Sequence, residues 1–282
     1  MIALDPEKKF MNWKLVCSDI DGTLLDKDRQ LSQRTIDILK DIKDRLPVVL
    51  ISSRMPKAMR HLQEELDILT HPLISFNGGL VLDYSSGEAK VLSSIEIPVN
   101  IAELIIEFSK NSSIHTSLYH NDEWYVAALD YWAEREMNNT KVHPEVADLQ
   151  SICEQWKSDK KGAHKIMCMG DASDIQLLYN YLLLHHSETI HVYRSKDTYI
   201  EIASKEISKL SALDLLLDHS YDINLSEVVA FGDNYNDEEM IGGVGMGVAV
   251  GNARDEVKTV SNAITKSNKE DGVAIFLEEL FG

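Results

Sequence analysis

Short apolar runs that end abruptly in polar residues recur along the chain, and their spacing lays out most of the expected elements. Leu15-Val16-Cys17-Ser18-Asp19 reads as a buried strand entering a loop. From Leu31 to Leu46 the apolar residues fall at 31, 36, 38, 39, 42 and 46, close to helical spacing, with Ser32 placed to cap the helix and Pro47 to end it. Val48-Val49-Leu50-Ile51 is continuously apolar and rich in β-branched residues, the pattern of a strand covered on both faces, and Pro56 then marks the first turn of another helix. A third run, Leu73-Ile74-Ser75-Phe76, leads into Asn77-Gly78-Gly79. Strand, helix, strand, helix, strand in this order predicts right-handed βαβ units and a doubly wound parallel sheet.

The texture changes from about Tyr84. Apolar runs shorten, aromatic residues gather at Tyr119, Trp124, Tyr125, Tyr131 and Trp132, and seven of the ten histidines fall between His115 and His191. The α/β texture then resumes with a helical pattern over Ser208 to Leu217, strands at Val228 to Phe231 and Met246 to Val250, and a terminal helix over Val273 to Leu280. The expected organisation is an α/β core made of residues 1–83 and 204–282, interrupted by an α+β insertion over 84–203. Trp124, Tyr125, Tyr131 and Trp132 are expected in the core of that insertion rather than as a substrate platform.

Composition narrows the class. A length of 282 residues favours two domains at roughly 150 residues each. Hydrophobic residues at 44% and charged residues at 26% describe an ordinary globular chain. The 46 acidic residues exceed the 28 Lys and Arg, giving a net charge of −18 that repels nucleic acid and anionic lipid and would also repel a phosphorylated metabolite. No apolar run is long enough for a membrane span, and Asp5, Glu7, Lys8 and Lys9 occupy the place of a signal-peptide h-region. Cys17, Cys153 and Cys168 are odd in number and lack CxxC spacing, against a disulfide framework or cysteine zinc site. The expected compartment is the cytoplasm, with no nucleic-acid or membrane partner.

Two acidic clusters carry the chemistry. Asp19-Ile20-Asp21-Gly22-Thr23-Leu24 and Gly232-Asp233-Asn234-Tyr235-Asn236-Asp237 each leave the carboxyl end of a buried strand, the end at which open α/β sheets bind ligands. A lone Asp-x-Asp-Gly is as often a turn cap as a site. Two such clusters on one rim repel each other, and a hard divalent cation such as Mg²⁺ relieves that repulsion; oxygen-only ligands disfavour zinc. An EF-hand is excluded because Tyr235 stands at a ligand position and neither cluster has the closing Glu. The stretch Gly242-Gly243-Val244-Gly245-Met246-Gly247 has no GxGxxG register, and the histidines, His185-His186 among them, form no HExxH.

In this order and after these strands, DIDGTL and GDNYND resemble the haloacid dehalogenase superfamily, and more narrowly its Cof-like, subclass IIB phosphatases. The resemblance covers the chain from about residue 12 and implies a Rossmann-like core with an α+β cap inserted between the second and third motifs. It implies that Asp19 is the nucleophile forming an aspartyl-phosphate and Asp21 the general acid and base. It implies Mg²⁺ held by Asp19, the main-chain carbonyl of Asp21, and Asp233, with Asp237 in support and Asn236 donating to the phosphoryl group. The second motif reads Ser52-Ser53-Arg54, with Ser53 where the family commonly has Gly; Ser52 offers its hydroxyl, and both Ser52 and Ser53 their amides, to phosphate. The family's lysine, three residues before Ala-Leu, matches Lys209 ahead of Ala212-Leu213, with Lys205 the second candidate and Leu210 where Gly is usual. Asn77 matches the Asn that orders the rim after the third strand. The implied activity is hydrolysis of a small phosphorylated metabolite, a sugar phosphate by preference. The rival readings are a phosphomannomutase-type phosphosugar mutase and a phosphometabolite sensor without turnover.

Overall fold

The structure, a computed structural model, describes residues 11–282; Asp5, Glu7, Lys8 and Lys9 lie outside the described residues. The chain divides into two compact units. One takes the chain up to Ser53 together with Met59–Ser93 and Ser208–Gly282, and the other takes Arg54–Ala58 and Ser94–Ile207.

The first unit is built on an eight-stranded sheet. It contains β1 (Leu15–Ser18), β2 (Val48–Ile51), β3 (Leu73–Ser75), β4 (Leu80–Asp83) and β5 (Lys90–Ser94). After six strands belonging largely to the second unit it adds β12 (Val228–Gly232), β13 (Met246–Ala249) and β14 (Ala263–Ile264). The spatial order is β14-β13-β12-β1-β2-β3-β4-β5, parallel from β14 to β3 and antiparallel between β3 and β4. Every residue of β1, β2, β12 and β13 is buried, which is why these strands are continuous apolar runs in the sequence. From β1 the chain winds outward through β2 and β3, and from β12 it winds the other way through β13 and β14. The β1/β12 pair, in register Ser18 with Phe231, is therefore the point where the strand order reverses, and the crevice beyond such a point is where ligands bind.

The helices follow the periodicity. Gln33–Ile42 buries Thr35, Ile36, Leu39 and Ile42, and the Ser32 hydroxyl accepts the Thr35 N–H at 3.1 Å. Lys209–Ser220 buries Ala212, Leu213, Leu216 and Leu217 together with Lys209 itself. The hairpin β4–β5 extends the first sheet past residue 84, so the insertion begins later than the sequence texture suggests. The reason is that β5 is an edge strand with no fully buried residue, so its apolar pattern fades before the sheet ends.

The second unit is α+β. Its strands are β6 (His115–His120), β7 (Glu123–Val126), β8 (Glu145–Val146), β9 (Lys165–Met169), β10 (Ile190–Lys196) and β11 (Tyr199–Ser204), ordered β10-β11-β9-β6-β7-β8. The pairs are antiparallel except for β7 with β8. Its core joins Ile101, Ile105, Leu118, Trp156, Ile166 and Leu178. Trp124 and Tyr125 are buried as expected, but Tyr131 is 68% exposed, because it opens the helix Tyr131–Thr140 on the helix's outer side.

This unit also holds a polar network around two buried histidines, His120 and His164. The Asn121 N–H donates to His164 Nδ1 at 3.1 Å, which assigns the proton to Nε2, and Nε2 donates to Ser94 Oγ at 3.0 Å. Ser94 Oγ donates to Glu96 Oε1, and Glu96 Oε2 accepts the Gly162 N–H. His120 Nδ1 donates to the Gly162 carbonyl at 2.9 Å. Burial, reinforced by His120, pushes His164 down to about 3. All three cysteines are buried and form no disulfide, and no helix among the described residues is long and apolar enough to cross a membrane.

Candidate active site

Asp19 follows the last residue of β1, and Asp233 follows the last residue of β12. Because these strands are parallel neighbours, both acidic motifs emerge at one end of the sheet. The turn that follows the two aspartates of the first motif depends on Gly22, whose φ is +90°. A Cβ there would lie 2.5 Å from Asp233 Oδ2, so only glycine lets the two motifs approach. Thr23 Oγ1 donates to Asp233 Oδ1 at 3.0 Å and fixes the second motif against the first. The Asn252 amide donates to the Gly22 carbonyl at 2.8 Å from a third segment.

Lys209 ties the rim together. Its Nζ donates to Asp19 Oδ1 at 2.5 Å and to Asp237 Oδ1 at 2.6 Å, and the side chain is fully buried. Burial opposes its charge, yet Asp19 and Asp237 together hold the ammonium above the ordinary lysine range. Ser208 caps the helix that carries it, in a reciprocal pair with Ser211. That helix start sits directly against Gly78, where a Cβ would meet the Ser208 carbonyl at 2.7 Å. Lys205 is elsewhere: its Nζ donates to the Ser187 carbonyl at 2.6 Å.

Asp237 has both oxygens engaged. Oδ1 accepts from Lys209, and Oδ2 accepts the N–H groups of Asp233 and Asn234 at 2.9 and 3.0 Å. Asp237 therefore orders the turn and the lysine. The third strand's turn joins in through Asn77, left-handed at φ +57°, whose Oδ1 accepts from Asn236 Nδ2 at 2.8 Å. Ser52 follows β2 and is buried, but its N–H donates to the Ile74 carbonyl at 3.0 Å. The expectation that the Ser52 amide cradles phosphate is corrected: sheet pairing with β3 commits that donor, which leaves the hydroxyl as the Ser52 group suited to the task. Ser53 follows directly, half-buried.

The site carries more negative charge than its lysine offsets. Asp19, Asp233 and Asp237 each place a carboxylate oxygen within 4.8 Å of the others, with one ammonium among them. Burial first, then Asp237, pushes Asp233 up to about 6. Burial also pushes Asp19 above the carboxylate range, with Lys209 offsetting part of that rise. A largely buried, oxygen-only, electron-rich donor set of this kind suits a hard divalent cation.

Some participants were not assigned from the sequence. Thr23 lies inside the first motif, and its place after the Asp-x-Asp-Gly turn is the signal that could have marked it. Arg254 had no such signal: its N–H donates to the Asp233 carbonyl at 2.9 Å and its Nε to Asn234 Oδ1 at 2.7 Å, contacts that only folding creates.

The family model for haloacid dehalogenase-like hydrolases matches residues 16–277. The chain belongs to the haloacid dehalogenase superfamily, as a Cof-like phosphatase. A putative phosphatase of Haemophilus influenzae is 32% identical to it, across 96% of this chain and 99% of the relative. The 5-amino-6-(5-phospho-D-ribitylamino)uracil phosphatase YitU of Bacillus subtilis is 30% identical, across 95% and 97%. The crystal structure of a haloacid dehalogenase-like hydrolase from Bacteroides thetaiotaomicron superimposes with a TM-score of 0.85 at 28% identity, covering 95% of this chain and 100% of that one. Phosphatases of the superfamily generally use Mg²⁺.

Proposed function

We propose that this haloacid dehalogenase phosphatase hydrolyses the phosphate monoester of a small polyol-like or sugar-like metabolite, with Mg²⁺, through an aspartyl-phosphate on Asp19. The observation that carries the reading is the buried Lys209 ammonium joined at once to Asp19 and Asp237 at the strand-order reversal. A lysine so placed holds Asp19 in one orientation and gives an incoming phosphoryl group a cation. The B. subtilis relative, whose name describes a substrate phosphorylated on a ribityl chain, supports the polyol class.

Asp19 attacks phosphorus in line and the bond to the leaving oxygen breaks, while Asp21 gives that oxygen a proton. Water then attacks the same phosphorus, Asp21 takes back a proton, and phosphate departs as Asp19 is restored. The Ser52 hydroxyl, the Ser53 amide and Asn236 orient the phosphoryl oxygens, with Asn77 holding Asn236 and Asp237 holding Lys209. Asp19, the Asp21 carbonyl and Asp233 would hold Mg²⁺, which when bound supplies the positive charge that lets a phosphate dianion approach these carboxylates.

A phosphate-release screen over polyol and sugar phosphates, nucleotides and cofactor phosphates, with Mg²⁺ or with EDTA, tests the reading. Turnover of a polyol or sugar phosphate that stops in EDTA is expected. Turnover only in the presence of a bisphosphorylated sugar would establish a mutase instead, and calorimetric binding without phosphate release would establish a sensor.

A further inference from the structure

The loop between β1 and the helix Gln33–Ile42 folds around Asp26. Its Oδ1 accepts the N–H groups of Asp28 and Gln30 at 2.8 and 3.0 Å, and its own N–H donates to the Gln30 carbonyl at 2.9 Å. This tight turn puts Arg29 in the left-handed region, at φ +60°, an uncommon conformation for a residue with a Cβ. The arginine side chain then reaches back to the sheet rim, where Nη2 donates to Asp21 Oδ1 at 2.7 Å. Both side chains are partly exposed, at 48% and 35%, and an ion pair of that kind adds little to stability. What the turn does achieve is to set the guanidinium against Asp21.

The other rim carboxylates have fixed partners: Asp19 and Asp237 on Lys209, and Asp233 on Thr23. Asp21 stands in irregular chain two residues beyond Asp19, and a carboxylate that must meet the leaving oxygen needs its orientation set. We propose that Arg29 is the positioning residue for Asp21, binding Oδ1 so that Oδ2 carries the proton toward the leaving group. This rests on the reading of Asp21 as the general acid. In the first step the phosphorus–oxygen bond to the leaving group breaks, its electron pair stays on that oxygen and the Oδ2 proton joins it, as Asp19 bonds to phosphorus. In the second step a water proton returns to Oδ2 as the water oxygen displaces Asp19.

The experiment compares kcat and KM on p-nitrophenyl phosphate, whose leaving group needs no proton, with those on an alkyl phosphate that the parent enzyme hydrolyses. Arg29→Ala and Arg29→Gln should lose about tenfold more kcat on the alkyl phosphate than on the aryl one, with KM nearly unchanged. Arg29→Lys should recover part of the loss, and Asp21→Asn should show the same bias more strongly. If Asp21→Asn is biased and the Arg29 variants lose both substrates equally, lose only KM or lose nothing, the positioning role is overturned and the acid reading stands. If Asp21→Asn shows no bias, the acid reading falls and the positioning role with it.

Discussion

Each unit of this protein holds a cluster of three side chains of metal-ligand type, two of them buried and one half-buried: Asp19, Asp237 and half-buried Asp233 in the first, and His120, His164 and half-buried Glu96 in the second. They differ in what their atoms are already doing. In the second, Asn121 occupies the His164 Nδ1 lone pair, the Nε2 proton goes to Ser94, and the His120 Nδ1 proton goes to Gly162. A ligand set needs lone pairs pointing inward, whereas here the imidazole nitrogens are taken up by neighbouring groups and Glu96 is the one carboxylate, so the network works as a hydrogen-bonded staple. In the first cluster three carboxylates share a single buried ammonium, so charge is left over. Proximity of ligand-type residues is common to both, and surplus negative charge distinguishes the site.

The sharpest way to break this comparison is to remove function from one cluster and look for it in the other. Asp19→Asn should lower turnover of p-nitrophenyl phosphate by at least about a thousandfold with the circular dichroism spectrum unchanged. His164→Gln should leave turnover per folded molecule within about twofold, because nothing it touches reacts. Lys209→Met comes next. It leaves Asp19 and Asp237 buried without their cation, so urea unfolding in EDTA should show a loss of about 3–5 kcal/mol.

Metal should separate the clusters by a smaller margin. Mg²⁺ at about a hundred times its dissociation constant should stabilise the protein by about 2.7 kcal/mol, and EDTA should remove the gain. The gain should shrink below pH 6, as Asp233 takes up the proton that competes with the ion. Zn²⁺ bound stoichiometrically and lost in His164→Gln would break the comparison outright.

The pH slopes are the smallest effect and have opposite signs. His164 is held neutral down to about 3 against 6.5 for an ordinary histidine, so the unfolded chain binds the extra proton between those values. The His164 contribution to stability should therefore fall by about 1.4 kcal/mol for each pH unit between 6.5 and about 3, and His164→Gln should remove that contribution. Asp233 is raised from 3.8 to about 6, so metal-free folded protein binds the extra proton there, and this carboxyl costs stability as pH rises through that window. Chemical unfolding at several pH values, with each variant, separates the two.

What was legible in the sequence follows from burial. Strands covered on both faces must be apolar throughout, so β1, β2, β12 and β13 could be placed to within a residue or two, and the motifs at their ends with them. The edge strand β5 has no such requirement, so nothing in its sequence marks it as part of the first sheet. Tyr131 misled for a related reason: an aromatic residue in a cluster looks like core until the helix face that carries it is known. The Ser52 amide looked available because sequence shows a donor without showing the Ile74 carbonyl that takes it.

The sequence by itself determined the two acidic motifs, the strand ends that carry them and the superfamily, because local pattern and short motifs encode these directly. Only the tertiary structure decided between Lys209 and Lys205, bound the Ser52 amide into the sheet, closed the histidine network on itself and brought Arg29 to Asp21. Each of those outcomes depends on which partner occupies a given lone pair or proton, and partners distant in sequence are set by the fold.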